Sequence, residues 1–302
     1  MKFILILIVT AGALAAADTF TVASFNIENY FLYPFGTRKA KPAVSRAKVR
    51  EAILKIQPDV LALQEVGRRA ALDELVAGLK VKGLSYPHME WVQGPDLAIH
   101  LVVLSRFPIE NRKTHSKVEY LLDRQRFQVS RGFGEVTIRV NANYKFTLLN
   151  AHLKSKRPVP RASQAAMRLN EARELRRIIE ARLKADPNAN LLLVGDLNDS
   201  PNQPPIRTLL GSKAPKLVDL RPFERNGDRA PHPQSSKFLS RRVAWTSFYW
   251  KEDSYSRFDY LIASAGLNRE LRRAGTFVHA MADWGTASDH RLVAASFYAE
   301  DK

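Results

Sequence analysis

The segment Gly195-Asp196-Leu197-Asn198-Asp199 closes an apolar run, Leu191–Gly195, with a carboxylate and an amide at alternate positions. Alternate side chains of an extended chain leave the same face, so Asp196 can position a water while Asn198 holds a phosphate oxygen. An Asx-turn after a strand accounts for the same spacing. Five further segments bring similar groups: Thr19–Phe25 before Asn26 and Glu28, Asp59–Leu63 before Glu65, Phe146–Asn150 before His152, Phe258 before Asp259, and the Ser288-Asp289-His290 turn before a last apolar run. Buried strands need only Val, Leu, Ile and Phe. A carboxylate, amide or imidazole recurring at the same end builds a rim suited to a hard divalent cation and an anionic substrate.

Each group has its own chemistry. Glu65 ends the run Val60–Leu63, where a carboxylate is costly unless a cation or donor meets it. His290 is the natural proton-transfer group near neutral pH, and Asp259 can fix its tautomer while Asp289 adds a second carboxylate. His152 is followed by Lys154, Lys156, Arg157 and Arg161, a cluster suited to phosphate contact or leaving-group protonation, although a solvated charged face would look the same. His88, His100, His115, His232 and His279 sit in no such setting and are given no role.

Positioning these groups falls to alternating elements. Strands are expected at Thr19–Phe25, Asp59–Leu63, Ala98–Leu104, Gly134–Val140, Tyr144–Leu149, Leu191–Gly195, Arg257–Ile262 and Leu292–Tyr298. Helices are expected at Ala43–Ile56, Arg69–Leu79, Arg161–Lys184 and near Pro205–Leu210, the third with Ala165, Leu169, Ala172, Leu175, Ile179 and Leu183 on its buried stripe. Residues 200–245 read as long loops. Trp245, Phe248, Tyr249 and Trp250 read as a buried strand, with a membrane wedge or a base-stacking platform as alternatives. The pattern predicts an α/β fold, a four-layer α/β/β/α sandwich of two mainly antiparallel sheets flanked by helices, in one domain over 18–302.

Composition sets the outer bounds. The 302 residues suffice for a large core without disulfides, and there is no Cys. Lys2, the apolar stretch Phe3–Val9 and the small residues 13–17 form the expected export segment, cleaved near Ala17, which places the mature chain in the periplasm or outside the cell. No later run reaches the roughly 20 apolar residues that span a bilayer. Net charge is +17, or +16 once Lys2 is removed, an excess that attracts polyanions.

The ordered blocks N-x-E, Q-E, H-L-K-S-K, G-D-x-N-D, F-D-Y and S-D-H, running from Phe20 to the C-terminus, resemble those of the endonuclease/exonuclease/phosphatase superfamily of metal-dependent phosphoesterases, nearest to its secreted bacterial members. That resemblance implies a Mg²⁺ site, with Mn²⁺ or Ca²⁺ able to substitute, on Glu65, Asn26, Asp289 and Glu28. It implies His290 with Asp259, Asp196, Asn198 and His152 in catalysis, and Arg131 beside Lys154 and Lys156 on substrate phosphate. His152 argues against an abasic-site repair enzyme. Expected substrates are DNA or RNA, with sphingomyelin-type or inositol phosphates as the alternative, and the enzyme is expected to be a monomer. A third reading, a non-catalytic scaffold, predicts a missing site residue, and none is missing.

Overall fold

A strand with one buried face alternates apolar and polar residues, whereas one buried on both faces reads as a continuous apolar run. Val60–Leu63 and Leu191–Val194 are of the second kind, and each belongs to a central strand of a six-stranded sheet. The computed structural model describes residues 19–226, 231, 234 and 242–302, so the expected export segment lies outside the described residues.

From the first described residue the chain forms β1 (Thr19–Tyr30), α1 (Ala43–Ile56), β2 (Val60–Val66), α2 (Arg69–Val81), β3 (His88–Val92), β4 (His100–Ser105) and β5 (Ile109–His115). A small hairpin of β6 (Glu119–Leu122) and β7 (Gln125–Gln128) leads to β8 (Phe133–Arg139), β9 (Lys145–His152), α3 (Gln164–Ala185), β10 (Leu191–Asp196) and α4 (Pro204–Leu210). Then come β11 (Val218–Asp219), β12 (Ser247–Tyr249), β13 (Ser254–Ser256), β14 (Asp259–Ala263), α5 (Ala265–Arg269), β15 (Leu271–Val278), α6 (Trp284–Ala287) and β16 (Val293–Tyr298).

One sheet has the order β15-β16-β1-β2-β4-β3 and the other β11-β14-β10-β9-β8-β5. Both are mainly antiparallel, but each has a single parallel pair at its centre: β1 with β2, and β9 with β10. Parallel neighbours need a crossover, supplied by α1 in one sheet and α3 in the other. Antiparallel strands flank both pairs, β16 and β4 on one side and β14 and β8 on the other. The two halves therefore repeat one scheme. β1, β2, β9 and β10 end where β14 and β16 begin, and the carboxyl ends of parallel strands are where open α/β sheets bind ligands.

The layers follow from alternation along these strands. Val22, Val60, Ala62, Leu148, Leu192 and Val194 face inward and share one core between the sheets, where Phe20 stacks on Phe146 and Phe297 at 4.8 and 5.4 Å. Leu61 and Leu63 face outward beneath Ile53 of α1 and Leu75 of α2. Leu191 and Leu193 lie beneath Leu175 of α3 and Leu209 of α4. This is the expected α/β/β/α sandwich.

Towards the rim the inward face turns polar. Gln64 Nε2 donates to Asn150 Oδ1 at 2.8 Å, and Asn150 Nδ2 donates to the carbonyls of Leu63 and Val102 at 3.1 and 3.0 Å. These fully buried amides stitch one sheet to the other just below the site, with their hydrogen bonding met internally.

Several boundaries differ from expectation for identifiable reasons. α3 starts at Gln164 rather than Arg161 because Ser163 caps it, accepting the N–H of Ala166. No apolar pattern in the sequence marks β5 and β15, because their middles are charged and exposed. The aromatic segment is not a buried strand. β12 and β13 form a two-stranded ribbon apart from the two large sheets, which leaves Trp250 71% and Tyr249 47% exposed. The other rings pack among themselves, Phe248 and Trp245 on Tyr255 at 4.6 and 4.8 Å.

Candidate active site

Gly195 makes the close approach of β10 to β9 possible. Its φ is +133°, and a Cβ there would stand 1.9 Å from the Ala151 carbonyl oxygen. The register this allows sets Asp196 beside His152 on one side and Asp259 on the other. Asp196 Oδ1 accepts the N–H of Asn198, the Asx-turn, while Oδ2 is free for the site. Around Oδ2 lie Asn26 Nδ2 at 3.0 Å, His152 Nε2 at 3.4 Å and His290 Nε2 at 3.6 Å. Residues from β1, β9, β10 and the turn before β16 thus meet on one carboxylate oxygen.

His290 is fixed from two directions. Its Nδ1 donates to Asp259 Oδ2 at 2.7 Å, so Nε2 is the nitrogen directed at Asp196. Its backbone N–H reaches Ser288 Oγ at 3.0 Å, and that hydroxyl donates to the Asn26 carbonyl at 2.7 Å. Thr246, which no sequence pattern marked, accepts the N–H groups of Phe258 and Asp259 through its hydroxyl, each at 3.0 Å.

Glu65 should point away from the rim, since Gln64 before it faces inward. A register shift between Leu63 and Val66 and a left-handed backbone (φ +62°) at Glu65 turn its carboxylate back. Oε1 then accepts the Asn26 amide at 3.3 Å and Oε2 the N–H of Asn29 at 2.9 Å. Glu28, Asn29 and Asn198 also have positive φ. Non-glycine residues held this way cost about 1–3 kcal/mol each and cluster at functional sites.

The two histidines are driven apart electrostatically. Burial acts to lower His290, but the carboxylates of Asp259, Asp196 and Asp289 outweigh it and hold the ring well above its ordinary 6.5. Burial and the charges of Arg131, His290, Arg38 and Lys154 hold His152 well below 6.5. One imidazole is cationic and the other neutral near pH 7, the separation that lets an acid and a base coexist. Burial pushes Asp196 up to about 7, opposed by His290 and reinforced by Asp259. Asp289 rises to about 6 through burial and the nearby charges of Glu28 and Glu65, against the pull of His290.

This crowding of carboxylates fits a hard cation. Glu65 and Asp289 offer oxygen donors, raised pKa values mark negative charge short of compensation, and Asp259 Oδ1 is buried without a partner. Asp196, Asp259 and His290 also have ligand atoms within 4.8 Å of one another. His290 Nδ1 is already bonded to Asp259, however, so that trio suits proton handling better than metal binding. Asn26 presents N–H groups to Glu65 and Asp196 while its oxygen accepts from Glu28 N–H at 3.0 Å, so ligation would require it to give up that bond. The Glu28 carboxylate stands 3.5 Å from Lys41.

The expected phosphate-binding cations are placed unequally. Arg131 is buried near His152, with Nη1 on the Leu153 carbonyl at 3.4 Å and Nε 3.7 Å from Asp96. Asn198 Nδ2 donates to that same carbonyl at 3.1 Å. Lys154 instead turns its amine into its own loop, onto the carbonyls of Ser155 and Arg157 at 3.2 and 3.0 Å. Lys156 is half-exposed, over the Phe258 ring at 4.7 Å and 3.8 Å from Asp199.

Two further residues matter that sequence reasoning passed over. Arg38 bonds Asn29 Oδ1 at 3.0 Å and adds positive charge beside His152; it lies in a loop folded back by the Phe35–Arg38 bridge, far from any strand end. Glu171, on the buried stripe of α3, accepts the N–H of Lys154 at 2.6 Å and of Ser130 at 3.5 Å, tying together the loops that carry His152 and Arg131. Burial pushes Glu171 up to about 7, against the pull of Arg131 and the two N–H donors. Between its ordinary 4.5 and 7 the folded chain keeps a proton that the unfolded chain has lost. The contribution of this group is therefore most favourable below about pH 4.5 and falls as pH rises towards 7. Glu171→Gln should flatten that slope, which urea midpoints for both proteins at about pH 5 and about pH 8 will measure.

Comparisons with known proteins bear on the family and the fold. The sequence profile described as "Endonuclease/Exonuclease/phosphatase family" matches residues 23–290. No curated protein matches the chain. Among solved structures, truncated Caenorhabditis elegans TDP2 aligns with a TM-score of 0.60 at 19% identity, over 93% of this chain and 98% of that one. The human Nocturnin catalytic domain, solved with a bound sulfate anion, aligns at 0.64 and 17%, over 94% and 95%. Sphingomyelinase C from Streptomyces griseocarneus aligns at 0.58 and 19%, over 93% and 100%.

Proposed function

Because the chain belongs to the Endonuclease/Exonuclease/phosphatase family of enzymes acting on phosphate esters, we propose that it is a secreted Mg²⁺-dependent nuclease that cleaves DNA or RNA by in-line attack of water. The observation that carries this reading is the meeting of an acidic half-site, Glu65, Asp196 and Asp289, with a cationic half-site, Arg38 and Arg131, across His152. A phosphate between them has the attacking water on one side and charge stabilisation on the other.

Asp196, titrating near neutrality, takes the proton of the water, and the cationic His290, oriented by Asp259, stabilises the charge that develops beside it. Asn198 and Arg131 hold the phosphate oxygens. His152 is neutral and its Nε2 is 3.4 Å from Asp196, so its ring contributes hydrogen bonding rather than charge. Glu65 and Asp289 would hold the metal, with Mn²⁺ or Ca²⁺ as possible substitutes; when bound, it neutralises phosphate charge and aligns the scissile bond. The net charge of +17 favours a polyanionic substrate. Export is read from residues 1–17, and protein recovered from periplasm or medium should begin at Asp18 on N-terminal sequencing. No helix among the described residues is long and apolar enough to cross a membrane.

A second reading has its own observation. The β12–β13 ribbon exposes Trp250, Tyr249 and Tyr255 and is joined to the site, since Phe248 N–H donates to the Asp289 carbonyl at 2.9 Å and Ser247 bridges His290. Aromatic side chains at a tip beside the site suit a lipid interface. A panel of plasmid DNA, RNA, sphingomyelin vesicles and inositol phosphates, each with Mg²⁺, Mn²⁺, Ca²⁺ or EDTA, separates the two. Metal-dependent nucleic-acid cleavage, lost in EDTA, is expected; turnover of sphingomyelin or inositol phosphate alone would replace the nuclease reading with the second.

A further inference from the structure

A groove of about 520 Å³ opens beside the site, walled by Phe35, Arg68, Arg69, Trp91, Leu97 and His100. It begins where the site ends. Glu65 is followed by Val66 and Gly67, whose carbonyls accept from His100 Nδ1 at 3.2 and 3.0 Å. Because carbonyls only accept, Nδ1 of this buried ring carries a proton. Trp91 lies on the His100 ring at 4.4 Å, and the Arg68 guanidinium lies over Phe35 at 4.8 Å. Leu97, at the lip, is 63% exposed. The loop that brings Phe35 to the groove also brings Arg38 to His152 through the Phe35–Arg38 bridge. Cations and rings therefore share this wall: Arg68 lies over Phe35, and Trp91 and Arg69 line the same groove.

Rings interleaved with cations are the arrangement that holds an unpaired nucleic-acid strand, with bases stacked on aromatic faces and phosphates on the charges. The volume lies within the roughly 300–1,000 Å³ typical of small-ligand sites, so it suits one or two nucleotides rather than a duplex. The arginines oppose a quaternary ammonium, which disfavours a choline headgroup. We propose that this groove binds the nucleotide next to the scissile phosphate in a single strand, its base against Trp91 and Phe35 and its phosphate on Arg68. This inference rests on the nuclease reading and names its substrate form.

The test uses the full mature protein with two readouts. One is anisotropy of a fluorescein-labelled octathymidylate in EDTA; the other is metal-dependent turnover of that oligonucleotide and of bis(p-nitrophenyl) phosphate, which has neither a base nor a second phosphate for the groove to hold. Arg68→Glu, at an exposed position, should weaken oligonucleotide binding about tenfold or more and lower its salt slope by about 1, with turnover of the small diester unchanged. Trp91→Ala should weaken binding similarly, and Trp91→Phe, which keeps a ring, should restore most of it. Equal losses on both substrates, or oligonucleotide binding unmoved by Arg68→Glu, would overturn the groove assignment. If the wild type binds the oligonucleotide through Arg68 but hydrolyses only sphingomyelin, the nuclease reading fails while the groove stands. If it does not bind the oligonucleotide at all, the groove assignment falls.

Discussion

His290→Ala should lower kcat by about 10²–10⁴, the range for a positioned acid–base group, while leaving the fold in place. The ring is bonded to Asp259 at 2.7 Å, lies 3.6 Å from Asp196, and is held cationic by the carboxylates around it. Removing it takes away the positive charge that opposes the rise of Asp196, so that carboxyl goes higher still and is protonated at the pH where it should accept a proton. Loss of turnover should therefore be partly recovered at higher pH, where Asp196 ionises again. Turnover of bis(p-nitrophenyl) phosphate across pH, with circular dichroism to verify folding, measures both effects. Wild-type turnover in this variant would refute the role given to His290.

Gly195→Ala should cost about 2–4 kcal/mol of stability and most of the activity together. The added methyl meets the Ala151 carbonyl oxygen at 1.9 Å, a backbone atom with no freedom to swing aside. Relief requires β10 to move away from β9, which separates Asp196 from its register partner His152. Urea unfolding and kcat should change in the same protein, unlike Glu171→Gln, where stability and its pH slope are the readouts. An unaltered urea midpoint would show that the strands are not in the contact described.

Much of this arrangement was legible because burial on both faces leaves a plain mark. Val60–Leu63 and Leu191–Val194 could only be central strands, and the polar residue that ends each run then had to lie at a rim. Their convergence was legible only from six motifs taken together, since each alone is a turn or a surface acid. What escaped reading has physical causes. Arg38 acts from a loop without periodicity, and Glu171 occupies a helix stripe where a carboxylate looks like an error until its two N–H donors are known. Lys154 turns its amine into its own loop, since proximity in sequence to His152 does not fix where a long side chain points. The ribbon of β12 and β13 has the aromatic content of a core strand, yet it stands outside both large sheets and so remains exposed.

The repeated scheme of the two sheets has a chemical corollary. β1 and β2 bring Asn26 and Glu65, β9 and β10 bring His152 and Asp196, and neither pair is competent by itself. The proposed hydrolysis would thus require both halves docked, as they are where Gln64 meets Asn150 across the seam.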